Sequence, residues 1–298
     1  MARELGAPLF FGSLARTMQP VALTDFEDVM YKLIALDMDG TLLRDDGSIS
    51  ARTQQAIAAA KAKGIKVVLA SGRPIAGMEK FLQQLALTSH EDYVLSYNGS
   101  LVQNVGSGAV LASRLLNGQD VRDLFAISQQ LGVNIHDFSR QQGLIAPRNS
   151  RYTELERSHN DLLLTELDFA QLPEDEAILK VMMVDEPEIL AQAVAALPAE
   201  VYQRFTVVQS TPYFLEFLHP DSNKGTGVAA LAAHLEISPE AIICVGDAGN
   251  DAHMLSYAGL GVAMGNATDE IKAMADFVTH SNQEDGVAHV IERFMLQP

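Results

Sequence analysis

The chain has 298 residues, and 38 aspartates and glutamates against 21 lysines and arginines give it a formal charge of −17. With 48% hydrophobic and 20% charged residues, it is too apolar for a disordered chain and long enough to bury a full core in one or two domains. The acidic balance repels nucleic-acid backbones and anionic bilayers, and no basic cluster offsets it, so we expect neither as a partner.

The first 29 residues show no sustained hydrophobic period of 2 or 3.6, and the first clear element begins at Tyr31. No window is apolar enough to span a bilayer, and no secretory signal is recognisable. We therefore expect a cytoplasmic protein with an N-terminal extension over residues 1–30, either disordered or loosely docked. Met30 is a candidate for the natural start.

Short apolar runs alternate with helix-like stretches from Lys32 onward, which is typical of a parallel sheet covered by helices. Ser50 is placed to cap a helix that ends at Gly64, and Pro74 to begin a second one. The apolar runs of this first part predict three strands, at residues 32–37, 65–70 and 93–97.

The pattern changes after Asn98-Gly99. Residues 101–104 and 109–112 predict a hairpin, and a mixture of strands and helices then continues to about Leu218. This mixture includes strands at 178–184 and 213–218 and a helix near 187–197.

From Asn223 the alternation of helices and strands resumes and continues to a terminal helix ending near Phe294. Further strands are predicted at 241–245, where Cys244 is expected to be a buried, inert thiol, and at 261–264. The predicted fold class is therefore α/β, with a Rossmann-like parallel-sheet core formed by residues 31–112 and 219–298 and an α/β cap inserted at 113–218.

The first polar motif, Asp37-Met38-Asp39-Gly40-Thr41, follows the first predicted strand directly. Ligands bind beyond the carboxyl ends of strands in an open parallel sheet, so both carboxylates can address one ligand. One can act as a metal-bound nucleophile and the other as a proton carrier, because different surroundings separate their pKa values. A motif this short also fits a solvated acidic turn.

Three further motifs lie at the end of a predicted strand or the start of a helix. Ser71-Gly72-Arg73 offers a hydroxyl and backbone N–H groups to a phosphate oxygen, and Asn223-Lys224-Gly225 adds an ammonium at a helix start. The stretch from Gly246 to Asp251 has Asp247 and Asp251 four residues apart, with Asn250 beside the second. Each motif alone fits a turn, a surface lysine or a helix cap, but their shared placement predicts one site.

The donor set of these motifs predicts the metal. Oxygen ligands without a cluster of cysteine or histidine favour Mg²⁺, which accepts one or two carboxylates together with substrate phosphate and keeps several waters. A phosphoryl group would then be held between the metal and Lys224.

The order and spacing of these motifs resemble those of the haloacid dehalogenase superfamily of phosphatases. The long insertion between Ser71 and Lys224, together with Tyr97-Asn98-Gly99, is similar to the Cof-type branch, which has an α/β cap there. Residues 179–183 and 212–216 within the cap look closest to the YidA-type sugar phosphatases. The resemblance extends from about Tyr31 to the C-terminus, and Ser71 stands where threonine is commoner, which keeps the hydroxyl.

The resemblance implies two-step hydrolysis of sugar phosphates and related small phosphorylated metabolites. Asp37 would attack phosphorus and form an aspartyl-phosphate, while Asp39 protonates the leaving oxygen and later deprotonates the attacking water. Mg²⁺ would be bound by the carboxylate of Asp37, the backbone carbonyl of Asp39 and Asp247, with Asp251 near the metal but outside this set.

The resemblance also implies which groups fix the phosphate oxygens, a matter of positioning more than of bond making. The expected phosphate-binding residues are Met38 through its backbone, Ser71, Gly72, Lys224 and Asn250.

We expect substrate choice to lie in the cap, since it closes over the organic part of the substrate. His136, Arg148 and Asn149 are candidates for hydrogen bonds to sugar hydroxyls, although surface or structural roles are commoner for such residues. Lys180, in an apolar strand, is expected to lie at the surface with its stem buried. His253 is expected to be structural.

Other functions fit the motifs less well. A metal-independent dehalogenase would lack Asp39 and the motif at 246–251, and a receiver-type signalling module would need neither a cap nor a proton carrier. A metabolite-binding regulator would not need the complete catalytic set. A phosphomutase or phosphotransferase, which passes the same aspartyl-phosphate to a second sugar, stays the open alternative. The sequence leaves assembly into a homo-oligomer open.

Overall fold

The computed structural model describes residues 30–297, so the extension predicted at 1–30 lies, except for Met30, outside the described residues. The strands in this range are β1 Leu33–Leu36, β2 Lys66–Ala70, β3 Tyr93–Ser96, β4 Leu101–Asn104, β5 Val110–Ser113, β6 Asn134–Ser139, β7 Gly143–Ala146, β8 Leu164–Glu166, β9 Ile178–Val184, β10 Thr206–Thr211, β11 Phe214–Leu218, β12 Ile242–Gly246, β13 Leu260–Ala263 and β14 Phe277–Val278. The α-helices are α1 Ala51–Ala62, α2 Glu79–Gln84, α3 Gly118–Leu131, α4 Arg151–His159, α5 Pro187–Ala195, α6 Ala199–Arg204, α7 Lys224–His234, α8 Ala252–Tyr257, α9 Asp269–Met274 and α10 Gly286–Phe294.

The first sheet has eight strands in the order β14-β13-β12-β1-β2-β3-β4-β5. Neighbours from β14 to β3 are parallel, and β4 and β5 add an antiparallel hairpin at one edge. Helices cover both faces: Ile34 and Leu36 pack in the cluster that includes residues of α1 and α10, whereas Ala35 packs on the side of α7 and α8. Burial on both faces explains why these strands are continuous apolar runs in the sequence.

The second sheet has six strands in the order β10-β11-β9-β6-β7-β8, antiparallel except for the pair β7 and β8. One face packs against α3, α5 and α6, with Val181 and Phe217 in its core. The opposite face contributes Phe138 and Met182 to a cluster that also contains Tyr97 of the first unit. This face, on which α4 also packs through Tyr152, is therefore directed toward the end of β3 in the first sheet.

The fold is α/β, as predicted, with a Rossmann-like core and an inserted cap. The chain forms β1 to β5 of the first sheet, then all of the second sheet, and returns to the first sheet at β12. The last strand before the insertion ends at Ser113, and the last strand of the cap ends at Leu218. The exact domain bounds stay predictions.

Two helices begin differently from the sequence-based expectation. The helix expected from Pro74 starts as a 3₁₀ turn at Ile75–Met78 before α2, and the one expected from Asn250 starts as a 3₁₀ turn at Gly249–Asp251 before α8.

Among residues 30–297, none of the helices combines the length and apolarity needed to cross a bilayer.

Candidate active site

The predicted motifs meet at the carboxyl edge of the first sheet. Asp37 follows β1, Ser71 follows β2 and Asp247 follows β12, while Lys224 is the first residue of α7. Because β1 lies between β2 and β12 in the sheet, the Asp37 motif is flanked by the other two. Parallel strand order alone therefore brings together residues that are more than 200 positions apart.

Lys224 links two carboxylates beneath this edge. Its Nζ lies 2.5 Å from Oδ1 of Asp37 and 2.7 Å from Oδ1 of Asp251, and its side chain is 0% exposed. Burial lowers the pKa of Lys224, but the Asp251 and Asp37 carboxylates raise it by more, so the group stays charged. Burial and the Asp251 carboxylate raise the pKa of Asp37 well above its usual value, and Lys224 opposes that increase.

Asp247 lies on the other side of Asp37, against Gly40. Its Oδ1 accepts a hydrogen bond from the Thr41 hydroxyl at 3.0 Å, and burial, with the Asp251 charge, raises its pKa to about 6. A Cβ at Gly40, whose φ is +80°, would lie 2.5 Å from Oδ2 of Asp247. Glycine is therefore required at this position by both backbone conformation and contact.

The three carboxylates fit a divalent metal ion. Asp37, Asp247 and Asp251 each offer one oxygen, and these oxygens all lie within 4.8 Å of one another. Three carboxylates against the single ammonium of Lys224 leave an excess of two negative charges. An all-oxygen donor set with this charge suits Mg²⁺.

Asp251 is fixed by its own loop. Its Oδ2 accepts hydrogen bonds from the backbone N–H groups of Asp247 and Ala248 at 2.9 and 3.0 Å. A Cβ at Gly246 would lie 2.5 Å from Cγ of Asp251, so the glycine leaves room for this carboxylate. Asp251 therefore shapes the loop that presents Asp247, in addition to holding Lys224.

The loop after β2 has the form expected of a phosphate-binding turn. The Ser71 hydroxyl is buried and accepts from the Arg73 backbone N–H at 3.1 Å. A Cβ at Gly72 would lie 3.1 Å from the side-chain nitrogen of Asn98. Across the site, the Met38 side chain is buried in the core and its carbonyl accepts from two backbone N–H groups, which turns the chain beyond β1.

The second carboxylate of the first motif points away from the metal cluster and into a cleft. Asp39 has a side chain that is 60% exposed, and Arg73 donates to both of its oxygens. Arg73 was not among the predicted site residues. Its position two residues after Ser71, in the same strand-end loop, was the available signal.

The cleft lies between the two sheets and has a volume of about 760 Å³. Asp37, Ser71 and Asn250 line its core side, while Glu156, Met182 and Phe214 are among the cap residues that line the other side. The cap thus covers the space next to the carboxylates, where the organic part of a bound phosphate ester would lie.

The prediction that Lys180 lies at the surface is wrong. Its side chain is only 2% exposed, and Nζ lies 3.3 Å from Oε2 of Glu216 and 3.4 Å from the carbonyl oxygen of Gly72. The rings of Phe138 and Tyr97 lie 5.0 and 6.0 Å from Nζ. A paired carboxylate and two aromatic faces explain why this charge can be buried.

A polar chain continues from this pair into the core. Glu216 Oε2 also accepts from the Asn98 side chain at 3.3 Å, and Asn98 Oδ1 accepts from the Asn250 side chain at 3.0 Å. Asn98 has a φ of +53°, which asparagine tolerates better than most residues. Lys180, Glu216, Asn98 and Asn250 therefore connect the cap strands to the loop of the carboxylate cluster.

The three cap residues considered as sugar ligands, His136, Arg148 and Asn149, are not among the residues that line the cleft, which agrees with the structural roles held to be commoner for them. His136 is fully buried beside the Thr153 hydroxyl, and burial, with the Lys180 charge, lowers its pKa to about 3. Arg148 donates to Asn134, and Asn149 donates to Glu154. All three therefore have structural partners within the cap.

Two core residues, Cys244 and His253, were predicted to have structural roles only, and one of them lies in the cleft. Cys244 is fully buried, and burial raises the pKa of its thiol, which confirms the expected inert cysteine. His253 is one of the residues that line the cleft, next to the Asn250 loop.

Comparison with known proteins identifies relatives over nearly the whole described chain. A family model described as haloacid dehalogenase-like hydrolase matches residues 34–291. The putative phosphatase YxeH of Bacillus subtilis (strain 168) is 41% identical over 269 residues, which are 90% of this chain and 99% of that protein. The 5-amino-6-(5-phospho-D-ribitylamino)uracil phosphatase YcsE of the same organism is 29% identical, over 91% and 98% of the two chains. The structure of the subclass IIB sugar phosphatase BT4131 matches with a TM-score of 0.73 at 25% identity, over 88% of this chain and 98% of that one.

Proposed function

Because the chain belongs to the haloacid dehalogenase-like hydrolases as a Cof-type phosphatase, we propose that it hydrolyses sugar phosphates and related small phosphorylated metabolites with Mg²⁺ as cofactor. The observation that supports this most directly is the buried contact of Lys224 with Asp37 and Asp251, next to Asp247. The sugar phosphatase BT4131 and the ribitylaminouracil phosphatase YcsE indicate the range of organic groups to test. Within this class, we propose an activity like that of the YidA-type sugar phosphatases.

Asp37 is the proposed nucleophile. Its carboxylate attacks phosphorus in line, and the bond to the leaving oxygen breaks as the aspartyl-phosphate forms. Lys224, which already contacts Oδ1, offsets negative charge on Asp37 and on the transferring group. Asp37, the Asp39 carbonyl and Asp247, with Asp251 nearby, would hold Mg²⁺, which would supply positive charge to offset that of the phosphoryl group and would favour ionised Asp37.

Asp39 is the proposed proton carrier. Its exposed carboxyl protonates the leaving sugar oxygen in the first step and, then being ionised, deprotonates the water that hydrolyses the aspartyl-phosphate. The two donors of Arg73 fix the direction of this carboxylate. The phosphate oxygens are positioned by the Met38 backbone, Ser71, Gly72, Lys224 and Asn250.

A phosphomutase is less well supported, because passing phosphate between sugar phosphates requires a second phosphate to be bound. Lysine and arginine side chains would normally bind it. Among the described residues, Lys224 is assigned to the transferring phosphate, and the two such side chains that line the cleft are paired with carboxylates, Arg73 with Asp39 and Lys180 with Glu216. Water is therefore the better acceptor for the phosphoryl group.

The test is phosphate release by the purified protein from sugar phosphates, a phosphorylated ribityl compound, nucleotides and phosphoamino acids, with Mg²⁺ and with chelator. We expect metal-dependent release that favours the sugar and ribityl phosphates. Release that chelator leaves unchanged, or transfer of labelled phosphate to an added sugar in place of release, would contradict the proposal.

The cytoplasmic location, and whether the chain forms a homo-oligomer, stay predictions.

A further inference from the structure

Glu156 is a buried carboxylate of the cap that has no hydrogen-bonding partner among residues 30–297. It lies on α4, is only 7% exposed and is one of the residues that line the cleft. The other carboxylates that line the cleft, those of Asp37, Asp39 and Glu216, accept hydrogen bonds from Lys224, Arg73 and Asn98 respectively. A buried carboxylate with free acceptor positions is costly unless donors reach it from the cleft.

The orientation of α4 explains how this carboxylate reaches the cleft. Leu155, Glu156, His159 and Asn160 all line it, and their spacing places them on one face of the helix. Glu156 acts electrostatically on Arg73 and is itself influenced by Lys180 and Glu216. It therefore lies close to the residues beside the phosphate-binding loop, where the first atoms beyond the phosphate of a substrate would be.

The charges of this part of the cleft do not balance. Asp39 is paired with Arg73, and Glu216 is paired with Lys180, so neither cation is available to Glu156 alone. His159, which also lines the cleft, adds a positive charge near Glu156 only when its imidazole is protonated. With a neutral His159, one carboxylate is left in excess among these groups. Burial raises the pKa of Glu156, and the Lys180 charge opposes that increase, so a substrate donor or cation would meet a poorly solvated acceptor.

We propose that Glu156 is a specificity-determining residue that accepts hydrogen bonds from hydroxyl or amino groups on the organic part of the substrate and rejects a second anionic group there. The substrate class is then monophosphates of neutral polyols, sugars and amino sugars, and phosphorylated sugar acids and bisphosphates are poor ligands. This inference rests on the proposed phosphatase function.

The experiment compares three ligands whose organic parts are neutral, cationic and anionic. These are glucose 6-phosphate, glucosamine 6-phosphate and 6-phosphogluconate, each measured as a competitor of Mg²⁺-dependent p-nitrophenyl phosphate hydrolysis at constant ionic strength. For the wild-type enzyme, we expect the inhibition constant of 6-phosphogluconate to be at least about tenfold above that of glucose 6-phosphate. Glucosamine 6-phosphate should bind at least as tightly as glucose 6-phosphate.

Glu156→Gln removes the charge and keeps the shape of the side chain. It should reduce the preference for glucose 6-phosphate over 6-phosphogluconate by about tenfold and weaken glucosamine 6-phosphate. Glu154→Gln is the matched control, because Glu154 lies on the same helix but is bound to Arg157 and Asn149 outside the cleft. Glu154→Gln should leave the inhibition constants of the three ligands relative to one another unchanged.

Each outcome has a distinct meaning. Hydrolysis with ratios that are the same in wild type and Glu156→Gln overturns the role of Glu156 and leaves the phosphatase proposal standing. Equal binding of glucose 6-phosphate and 6-phosphogluconate by the wild type also overturns the role of Glu156. This measurement needs no variant, so the role can be tested even when Glu156→Gln does not fold. Absence of metal-dependent hydrolysis from every phosphate ester overturns the proposed function and this inference with it.

Discussion

Arg73 binds both carboxylate oxygens of Asp39, with Nε 2.9 Å from Oδ2 and Nη2 2.6 Å from Oδ1. The two residues come from adjacent strand ends, and the pairing is bidentate, so it fixes the plane of the carboxyl as well as its distance. Asp39 is thereby held toward the cleft and away from the Lys224 contacts of Asp37. This geometry separates the proposed proton carrier from the proposed nucleophile.

Replacing Arg73 should therefore affect poor leaving groups most. We expect Arg73→Gln to lower kcat for a sugar phosphate by about 10²-fold, since a mispositioned Asp39 no longer protonates the departing alkoxide. Hydrolysis of p-nitrophenyl phosphate, whose leaving group needs no proton, should fall much less. Lys80→Gln is the control, because Lys80 is an exposed cation of α2 with no contact to Asp39. Equal losses for both substrates would show that Arg73 acts on phosphate binding instead.

Asp37→Asn should abolish turnover while leaving the fold intact. An amide is not a competent nucleophile toward phosphorus, but it has the size of the carboxylate and can still contact Lys224. Phosphate release with Mg²⁺ measures the loss, and circular dichroism with thermal unfolding measures the fold. Metal-dependent activity retained by a folded Asp37→Asn enzyme would rule out Asp37 as the nucleophile.

The buried pair of Lys180 and Glu216 should behave cooperatively in stability. Lys180→Met leaves Glu216 uncompensated and should lower the free energy of unfolding by about 3 to 5 kcal/mol. The double variant Lys180→Met/Glu216→Gln should recover much of that loss, because the carboxylate that was paired with Lys180 is then replaced by a neutral amide. Urea unfolding of the wild type, both single variants and the double variant gives the coupling energy. Additive losses would show that the two side chains do not interact.

The carboxyl edge of the core is predictable from the sequence because it depends on local patterns. Apolar runs give the buried strands, and each of Asp37, Ser71 and Asp247 follows one of them directly. A parallel sheet then places all three at one edge whatever their separation in the chain. The fold class and the convergence of these residues therefore follow from strand order, without knowledge of any long-range contact.

The cap side of the cleft is not predictable in this way. The sequence around Lys180 predicts a surface lysine. The side chain can be buried because β9 pairs with β11, which places the Glu216 carboxylate 3.3 Å from the Lys180 ammonium. Glu156 lies in a polar helix, and its burial depends on how α4 packs on the cap sheet, where Tyr152 and Thr153 contact residues of the strands. One signal was available: a lysine and a glutamate, each within an otherwise apolar strand, suggest a buried pair.

Mg²⁺ should stabilise the fold as well as support turnover. The cluster of Asp37, Asp247 and Asp251 has two more negative charges than Lys224 offsets, so a bound cation relieves repulsion that exists only in the folded state. At a concentration about 100 times its Kd, the ion should add about 2.7 kcal/mol to the free energy of unfolding. Asp247→Asn should remove most of this increase. A Tm that Mg²⁺ leaves unchanged in the wild type would contradict a metal site at this cluster.

Asp137, which lies in β6 far along the chain from the catalytic motifs, should make stability depend on pH. Its side chain is fully buried, and neither carboxylate oxygen has a hydrogen-bonding partner among the described residues. Burial and the Glu176 charge raise the pKa of Asp137 well above its usual value of 3.8. The folded protein therefore keeps this proton at pH values where the unfolded chain has lost it.

The sign follows from this difference in proton binding. Below about pH 4 both states are protonated, and as pH rises from there to the raised pKa of the folded state, the folded protein loses stability by about 1.4 kcal/mol per pH unit. Asp137→Asn removes this dependence, so the variant should be more stable than the wild type at pH 8, and the gain should shrink toward pH 4. Thermal unfolding across this range measures it, with Asp175→Asn, an exposed carboxylate next to Glu176, as the control. A difference between variant and wild type that is constant with pH would show that Asp137 has an ordinary pKa in the folded protein.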